Sequence, residues 1–296
     1  MTPTMSNLLT HHEGQTIVAA EQRGFVKEER VRLFAVVTGA SRGIGAEYAK
    51  ALAAAGYDLL LVGRDEGRLT NLASELRDRY KVVTHTEVMD LALPDSAPRL
   101  YVAARQRRDH VDLLINNAGF GAFGPFIDVP MPRIQEMLRL HVNTIVESMR
   151  LFLPGMVERS SGAVINVAST AGLFALPFMA EYAATKTFLI TFSQALAVEV
   201  RPFGVRIQAC CPGSTDTDFH QTSGFRANNP LGSDTAAEVV STSLAALHRG
   251  PVVIVIGWRG RLLRWVTRFF PATVMTRVAG RWLRQRQTRQ GDSYRR

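Results

Sequence analysis

The chain has 296 residues, 46% of them apolar and 21% charged, a composition that suits a globular protein with one large domain and excludes a wholly disordered or fibrous chain. Its formal net charge of +9 is concentrated at one end: eleven arginines and a single acid, Asp292, lie between positions 258 and 296, so the rest is close to neutral. No apolar run approaches the ~18 residues of a membrane span and the N-terminus lacks a signal-peptide pattern, which leads us to expect a cytoplasmic protein, or one held to a membrane from its surface.

Residues 1–30 are polar, charged and without steady periodicity, and are expected to form an extension. From 31 the pattern changes. Short apolar runs, many β-branched, stand at 33–38, 58–62, 82–88, 111–116, 163–168, 205–210 and 252–256. Such runs suit strands buried on both faces of a parallel sheet. Helical stretches separate them at 43–55, 65–79, 94–107, 131–154, 180–201 and 235–248. The expected fold class is α/β: a Rossmann-type, doubly wound, seven-stranded parallel sheet forming a single domain over 31–257. A C-terminal extension of basic amphipathic helices follows over 258–296. Cys210 and Cys211 are adjacent in a strand, so they point to opposite faces and are expected to be buried, reduced thiols. Cys and His show no metal-ligand spacing, and no metal is expected.

The first strand runs into Thr38-Gly39-Ala40-Ser41-Arg42-Gly43-Ile44-Gly45, with a helix after it. Gly39 permits the tight turn, Gly43 lets the backbone approach a pyrophosphate, and Gly45 lets helix and strand pack closely. The helix N-terminus offers unpaired N–H groups to phosphates. A glycine-rich turn with no ligand is the alternative.

The spacing T-G-x-x-x-G-x-G resembles that of the short-chain dehydrogenase/reductase family, main branch, and the resemblance covers about 31–256. Asn116-Asn117-Ala118-Gly119 looks like the family's N-N-A-G. Asp90-Leu91 resembles the pair placed against the adenine. Tyr182-Ala183-Ala184-Thr185-Lys186 matches Y-x-x-x-K, and Ser169 lies thirteen residues before Tyr182. Asn143 matches the asparagine of the family's catalytic set. Pro212-Gly213-Ser214-Thr215-Asp216-Thr217 resembles P-G-x-V-x-T, with Thr215 in place of valine.

The resemblance implies a catalytic set of Asn143, Ser169, Tyr182 and Lys186. Tyr182 would give a proton to the carbonyl oxygen during reduction, Ser169 would place that oxygen, and Lys186 would hold the nicotinamide ribose. Asn143 would anchor a water in a proton relay. Lys186, four residues from Tyr182 on one helix face, is expected to favour the phenolate and lower the tyrosine pKa. It implies a cofactor site of Gly39, Ser41, Arg42, Gly43, Ile44, Gly45, Arg64, Asp90, Leu91, Asn117, Ala118, Gly119, Tyr182, Lys186, Pro212, Gly213, Thr215 and Thr217.

The cofactor is expected to be NADP, with NAD less favoured. Where an NAD site carries an acid at the end of the second strand, this chain has Gly63 followed by Arg64, and Arg42 adds a second guanidinium that could meet a 2′-phosphate. Asp65 is the competing ribose partner.

The expected substrate walls are 120–126 and 173–179, both rich in phenylalanine, with 214–234 as a mobile lid. They suggest an apolar ketone or alcohol: a 3-oxoacyl chain, a steroid-like ketone or another lipid. Packing of a lid or a subunit contact is the other reading. Similar proteins are dimers or tetramers joined through the helices bearing Asn143 and Tyr182.

In the tail, Leu262, Trp265, Val266 and Phe269, then Val274, Met275, Val278, Trp282 and Leu283, recur at helical spacing among arginines, with Pro271 between the two stretches. An anionic membrane surface, packing on the body and nucleic acid are three competing partners. No base-reading motif accompanies the charge, so nucleic acid is not expected. Two non-enzymatic alternatives are an NADP-binding regulator and a membrane-surface scaffold. The full set of four catalytic residues argues against the first, and deletion of 258–296 would separate the second from an enzyme.

Overall fold

A computed structural model describes residues 32–216 and 232–294, with side chains as far as Gln285. The expected extension 1–30, Thr217 and most of the expected lid lie outside the described residues.

Seven parallel strands form one sheet: β1 (Phe34–Thr38), β2 (Asp58–Gly63), β3 (Thr84–Val88), β4 (Leu113–Asn116), β5 (Gly162–Val167), β6 (Val205–Cys211) and β7 (Val253–Val255). Their order is β3-β2-β1-β4-β5-β6-β7. The order reverses between β1 and β4, where Val37 pairs with Ile115. A crevice opens beyond the carboxyl ends of the strands at such a switch point.

Alternation along each strand feeds two apolar layers. Val36, Leu60, Leu114 and Val164 face one layer. Val37, Leu61, Ile115 and Ile165 face the other. The first is covered by helices α3 (Ser96–Arg107), α5 (Thr144–Glu158) and α6 (Ala180–Val200). The second is covered by α1 (Gly43–Ala54), α2 (Glu66–Tyr80) and α7 (Ala236–Ala246). Cys210 belongs to one layer and Cys211 to the other. Both are free thiols, and burial pushes them up to about 11 and about 12.

The stretch 131–154, read from sequence as one helix, is three pieces: α4 (Met131–Leu138), a π-helical turn (Arg139–Asn143) and α5. The helix also passes Pro154 and runs to Glu158. The proline removes one backbone bond, but Phe152, Leu153 and Met156 are buried on the sheet and hold the last turns in place. Beyond β7 the expected tail forms α8 (Gly257–Phe269) and α9 (Ala272–Tyr294), separated at Phe270 and Pro271.

Candidate active site

The crevice at the switch point is a cleft of about 740 Å³. Its first wall is the glycine turn. Thr38 Oγ1 donates to the Ile115 carbonyl at 3.0 Å and accepts the N–H groups of Asn117 and Ala118 at 2.9 and 3.1 Å. Asn117 Nδ2 donates back to the carbonyls of Thr38 and Gly39 at 2.9 and 3.2 Å. The turn and the N-N-A-G segment are therefore one hydrogen-bonded unit. Gly39 and Gly43 take φ of 65° and 57°, the left-handed region that favours glycine. A Cβ on Gly45 would collide with the Gly39 carbonyl and lie 2.5 Å from Asn117 Nδ2.

The N-terminus of α1 receives no side-chain cap, and its first turn carries no acid. Ser41, Arg42, Gly43 and Ile44 around it all line the cleft. This end suits a diphosphate, which would take its unpaired N–H groups. The neighbouring α2 differs. Asp65 Oδ1 accepts the Arg68 N–H at 3.0 Å, and Asp65 Oδ2 lies 3.4 Å from Arg68 Nε. The acid that competed for a ribose is thus engaged as a helix cap. Arg64 stands at the same wall, 3.7 Å from Asp90 and 3.8 Å from Glu136.

The second wall holds Ser169, Tyr182 and Lys186. A buried polar chain crosses the sheet into α6: Asn116 Nδ2 to Asn166 Oδ1 at 2.8 Å, Asn166 Nδ2 to Ser193 Oγ at 2.9 Å, and Ser193 Oγ to the Leu189 carbonyl at 2.7 Å. A 3-10 turn (Thr170–Leu173) lies against the same helix. A Cβ on Gly172 would come within 2.6 Å of the Lys186 carbonyl carbon, so only glycine allows this approach. Ser169 caps that turn by accepting the Ala171 N–H at 3.1 Å, and its side chain also hydrogen-bonds Tyr182.

Burial pushes Tyr182 up to about 12, with the Ser169 hydrogen bond pulling the other way. Burial brings Lys186 down to about 8. The sequence led us to expect a lowered tyrosine. The structure reverses this because the Lys186 ammonium donates to the Val167 carbonyl at 2.9 Å and lies 5.7 Å from the phenol ring centroid. Desolvation of the phenol outweighs a charge held at that distance.

Of the expected site residues, Gly39, Ser41, Arg42, Gly43, Ile44, Arg64, Asp90, Leu91, Asn117, Ala118, Gly119, Ser169, Tyr182, Lys186, Pro212, Gly213 and Thr215 line this one cleft. Gly45 lies behind the turn and acts through packing. Asn143 is not brought in: it is exposed and is not among the residues that line the cleft. Two residues of helix turn a side chain by about 200°, and His141 takes the inward position instead. Its fully buried ring lies 5.9 Å from that of Tyr182. Nε2 accepts the Phe120 N–H at 3.1 Å, which leaves Nδ1 protonated and donating to Thr185 Oγ1 at 3.0 Å. Thr185 Oγ1 donates in turn to the Tyr182 carbonyl at 2.8 Å. Sequence reasoning passed over His141. The signal available was an ionisable residue inside an otherwise apolar helix face.

Of the expected substrate walls, Phe120, Leu176 and Met179 line the cleft. Phe126 is exposed. Phe178, with φ of 64°, holds a left-handed backbone that is strained for a bulky residue, and its carbonyl accepts the Gly124 N–H at 2.9 Å. At the base of the 214–234 loop, Asp234 N donates to the Ser214 carbonyl at 3.0 Å and Asp216 N to the Asp234 carbonyl at 3.1 Å.

Residues 33–226 match the short chain dehydrogenase family. A macaque (Macaca fascicularis) very-long-chain 3-oxoacyl-CoA reductase is 31% identical over 251 residues, 83% of this chain and 78% of that one. The human protein of the same name is 37% identical over 60% of this chain, and the match spans only 58% of the human protein. Among solved structures, a short-chain dehydrogenase from Sphingobium yanoikuyae in complex with NADPH is 30% identical over 80% of this chain and 94% of its own, with a TM-score of 0.72. A bulky-bulky ketone specific alcohol dehydrogenase from Comamonas testosteroni is 29% identical over 80% of this chain and 92% of its own, with a TM-score of 0.68. The cleft and these likenesses agree: the chain belongs to the short-chain dehydrogenase family and is an NAD(P)-dependent oxidoreductase.

Proposed function

We propose that this protein is an NADPH-dependent reductase of apolar, lipid-like ketones, with 3-oxoacyl thioesters as the first class to try. One observation carries the reading: Tyr182 is a buried phenol at about 12, hydrogen-bonded to Ser169, in a cleft whose other lining includes Phe120, Leu176 and Met179. At that value the phenol keeps its proton at neutral pH, the state that reduction of a ketone requires. The relatives named as 3-oxoacyl-CoA reductases and the neighbour selective for bulky ketones support the substrate class.

NADPH, when bound, supplies the hydride. The chain's own groups do the rest. The glycine turn and the uncapped end of α1 would receive the diphosphate, and Arg42 and Arg64 the 2′-phosphate. Asp90, Leu91, Asn117, Ala118 and Gly119 line the intervening wall, with Pro212, Gly213 and Thr215 assigned to the far side. Ser169 Oγ would orient the ketone oxygen, and Tyr182 Oη would pass it a proton. Lys186 would bond the nicotinamide ribose, and its positive charge would favour the phenolate that the transfer leaves behind. His141 holds the helix of Tyr182 against Phe120, next to the N-N-A-G segment; Asn143, expected to anchor a relay water, is exposed.

We further assign the protein to the cytoplasm, with attachment to a membrane surface through the C-terminal helices. Its assembly state is assigned as a homodimer or homotetramer joined through α5 and α6.

Titration with NADPH and NADH, followed by turnover on a panel of apolar ketones, 3-oxoacyl thioesters and polar sugars, tests the reading. It predicts tighter NADPH binding by both wild type and Tyr182→Phe, with turnover of apolar ketones lost only in the variant. Turnover confined to sugars would refute the substrate class. Binding without turnover of any ketone would favour a regulator.

A further inference from the structure

Helices α8 and α9 each bury one side and expose the other. In α8, Gly260 is buried, and a Cβ there would meet Val255 Cγ1 at 2.7 Å and Thr170 Cγ2 at 3.2 Å. In α9, Leu283 is buried, Thr276 Oγ1 donates to the Ala175 carbonyl at 3.4 Å, and a Cβ on Gly280 would lie 3.3 Å from Pro177 Cγ. Both helices therefore rest on 170–177, the segment whose inner side gives Leu176 to the cleft.

The opposite sides are apolar and open. Trp258, Leu262, Trp265 and Phe269 follow at steps of four, three and four, one stripe of α8, and are 60%, 52%, 58% and 63% exposed. Val274, Val278 and Trp282 continue at steps of four along α9 and are 44%, 60% and 48% exposed. By the helical period Arg261 and Arg268 flank the first stripe, and Arg277 and Arg281 the second. From 257 to 285 the chain carries seven arginines and no acid. No helix among the described residues is long and apolar enough to cross a membrane.

We propose that α8 and α9 dock this protein onto an anionic lipid bilayer and hold the mouth of the cleft against it, a role that rests on the lipid-ketone reading for its purpose. Aromatic and aliphatic side chains beside guanidinium groups match the boundary between acyl chains and acidic headgroups, where rings enter the apolar zone and arginines meet phosphate. A second copy of the same face would set arginine against arginine, because a two-fold contact repeats one patch on both sides. A nucleic acid would satisfy the arginines but leave the apolar stripes exposed. The 170–177 segment on which both helices rest also gives Leu176 to the cleft, so docking would bring the cleft close to the bilayer.

Co-sedimentation of the intact, NADPH-loaded protein with phosphatidylcholine vesicles, with and without phosphatidylserine, tests the proposal. Retention is expected on the phosphatidylserine vesicles at low salt, with release at high salt. Arg261→Glu with Arg268→Glu, and separately Trp265→Ser with Phe269→Ser, should each reduce retention about tenfold or more. Turnover of a short, soluble ketone should be unchanged in both variants. Absence of retention, or equal retention on neutral vesicles, overturns the proposal. So does conversion of an oligomer to monomers by Trp265→Ser with Phe269→Ser in lipid-free buffer, which would make the stripe a protein contact. Salt-sensitive retention without turnover of any ketone would leave docking standing and defeat the catalytic reading alone.

Discussion

The imidazole of His141 meets the ring of Tyr182 edge-on, with centroids 5.9 Å apart and planes at 72°. The same imidazole ties Phe120 N–H to Thr185 Oγ1, so one buried ring joins the N-N-A-G segment, the π turn and the catalytic helix. Burial, then Lys186, then Arg133 hold it well below the usual histidine range, and it stays neutral through physiological pH. His141→Leu would strand the buried Phe120 N–H at a cost of about 1–3 kcal/mol and remove the bond that Thr185 Oγ1 accepts, leaving that hydroxyl its donation to the Tyr182 carbonyl. We expect kcat for ketone reduction to fall by about tenfold or more while KM for the ketone changes little. His141→Gln, which can return an acceptor to Phe120 N–H, should recover much of the loss. A Leu variant that melts earlier but keeps kcat would show that the ring serves stability alone.

Most of the strands were legible because they are short apolar runs buried on both faces, a signal that needs no tertiary information; β3, at the sheet edge and partly exposed, was carried by its β-branched residues. The glycine turn was legible from what a tight strand-to-helix turn demands of the backbone, and Ser169, Tyr182 and Lys186 from their resemblance to the family's motifs. The place of His141 was not. The π turn Arg139–Asn143 shifts the hydrogen-bond register without changing composition, and a two-residue difference moves a side chain to the opposite face. Nor could sequence say which side of the arginine-rich helices meets the body, since that depends on Gly260 and Gly280 fitting against Thr170 and Pro177.

Lys186, brought down to about 8 by burial, sets a limit on the working pH. The lowered value means that the ammonium is present below about 8 and lost above it. Tyr182, at about 12, keeps its proton across that interval. For ketone reduction, kcat/KM should be level below pH 8 and decline above it with the loss of one proton. Lys186→Met should be slower throughout and lack this inflection. Alcohol oxidation needs the phenolate and should have its optimum at higher pH than reduction. A reduction profile still level at pH 10 in the wild type would count against a role for the ammonium.

The proposed preference for NADPH over NADH puts Arg64 to the test. Arg64 faces the half-buried acids Asp90 at 3.7 Å and Glu136 at 3.8 Å from an exposed position of its own, long pairs that contribute little and would yield to a phosphate. A charge-assisted hydrogen bond to the 2′-phosphate contributes about 1.5–3 kcal/mol. Arg64→Ala should therefore weaken NADPH binding by roughly ten- to a hundredfold and leave NADH within about twofold. Calorimetric titration with both nucleotides reads the difference directly. Equal weakening of both would assign Arg64 to the adenine side of the cleft.

Gly45 tests the turn from behind: it does not line the cleft itself but packs against Gly39 and Asn117, which do. Its absent Cβ leaves the space that brings α1 against the Gly39 carbonyl and Asn117 Nδ2. An added methyl must push the helix away from β1, and overpacking of this kind costs about 1–3 kcal/mol. The displacement would also tilt the uncapped N–H groups of Gly43 and Ile44 away from a diphosphate. Gly45→Ala should lower the melting temperature by several degrees and weaken NADPH and NADH by the same factor, since the pyrophosphate is common to both. Selective loss of NADPH would place the effect at Arg42 instead, and a stable variant with unchanged nucleotide affinity would show that α1 can shift without cost.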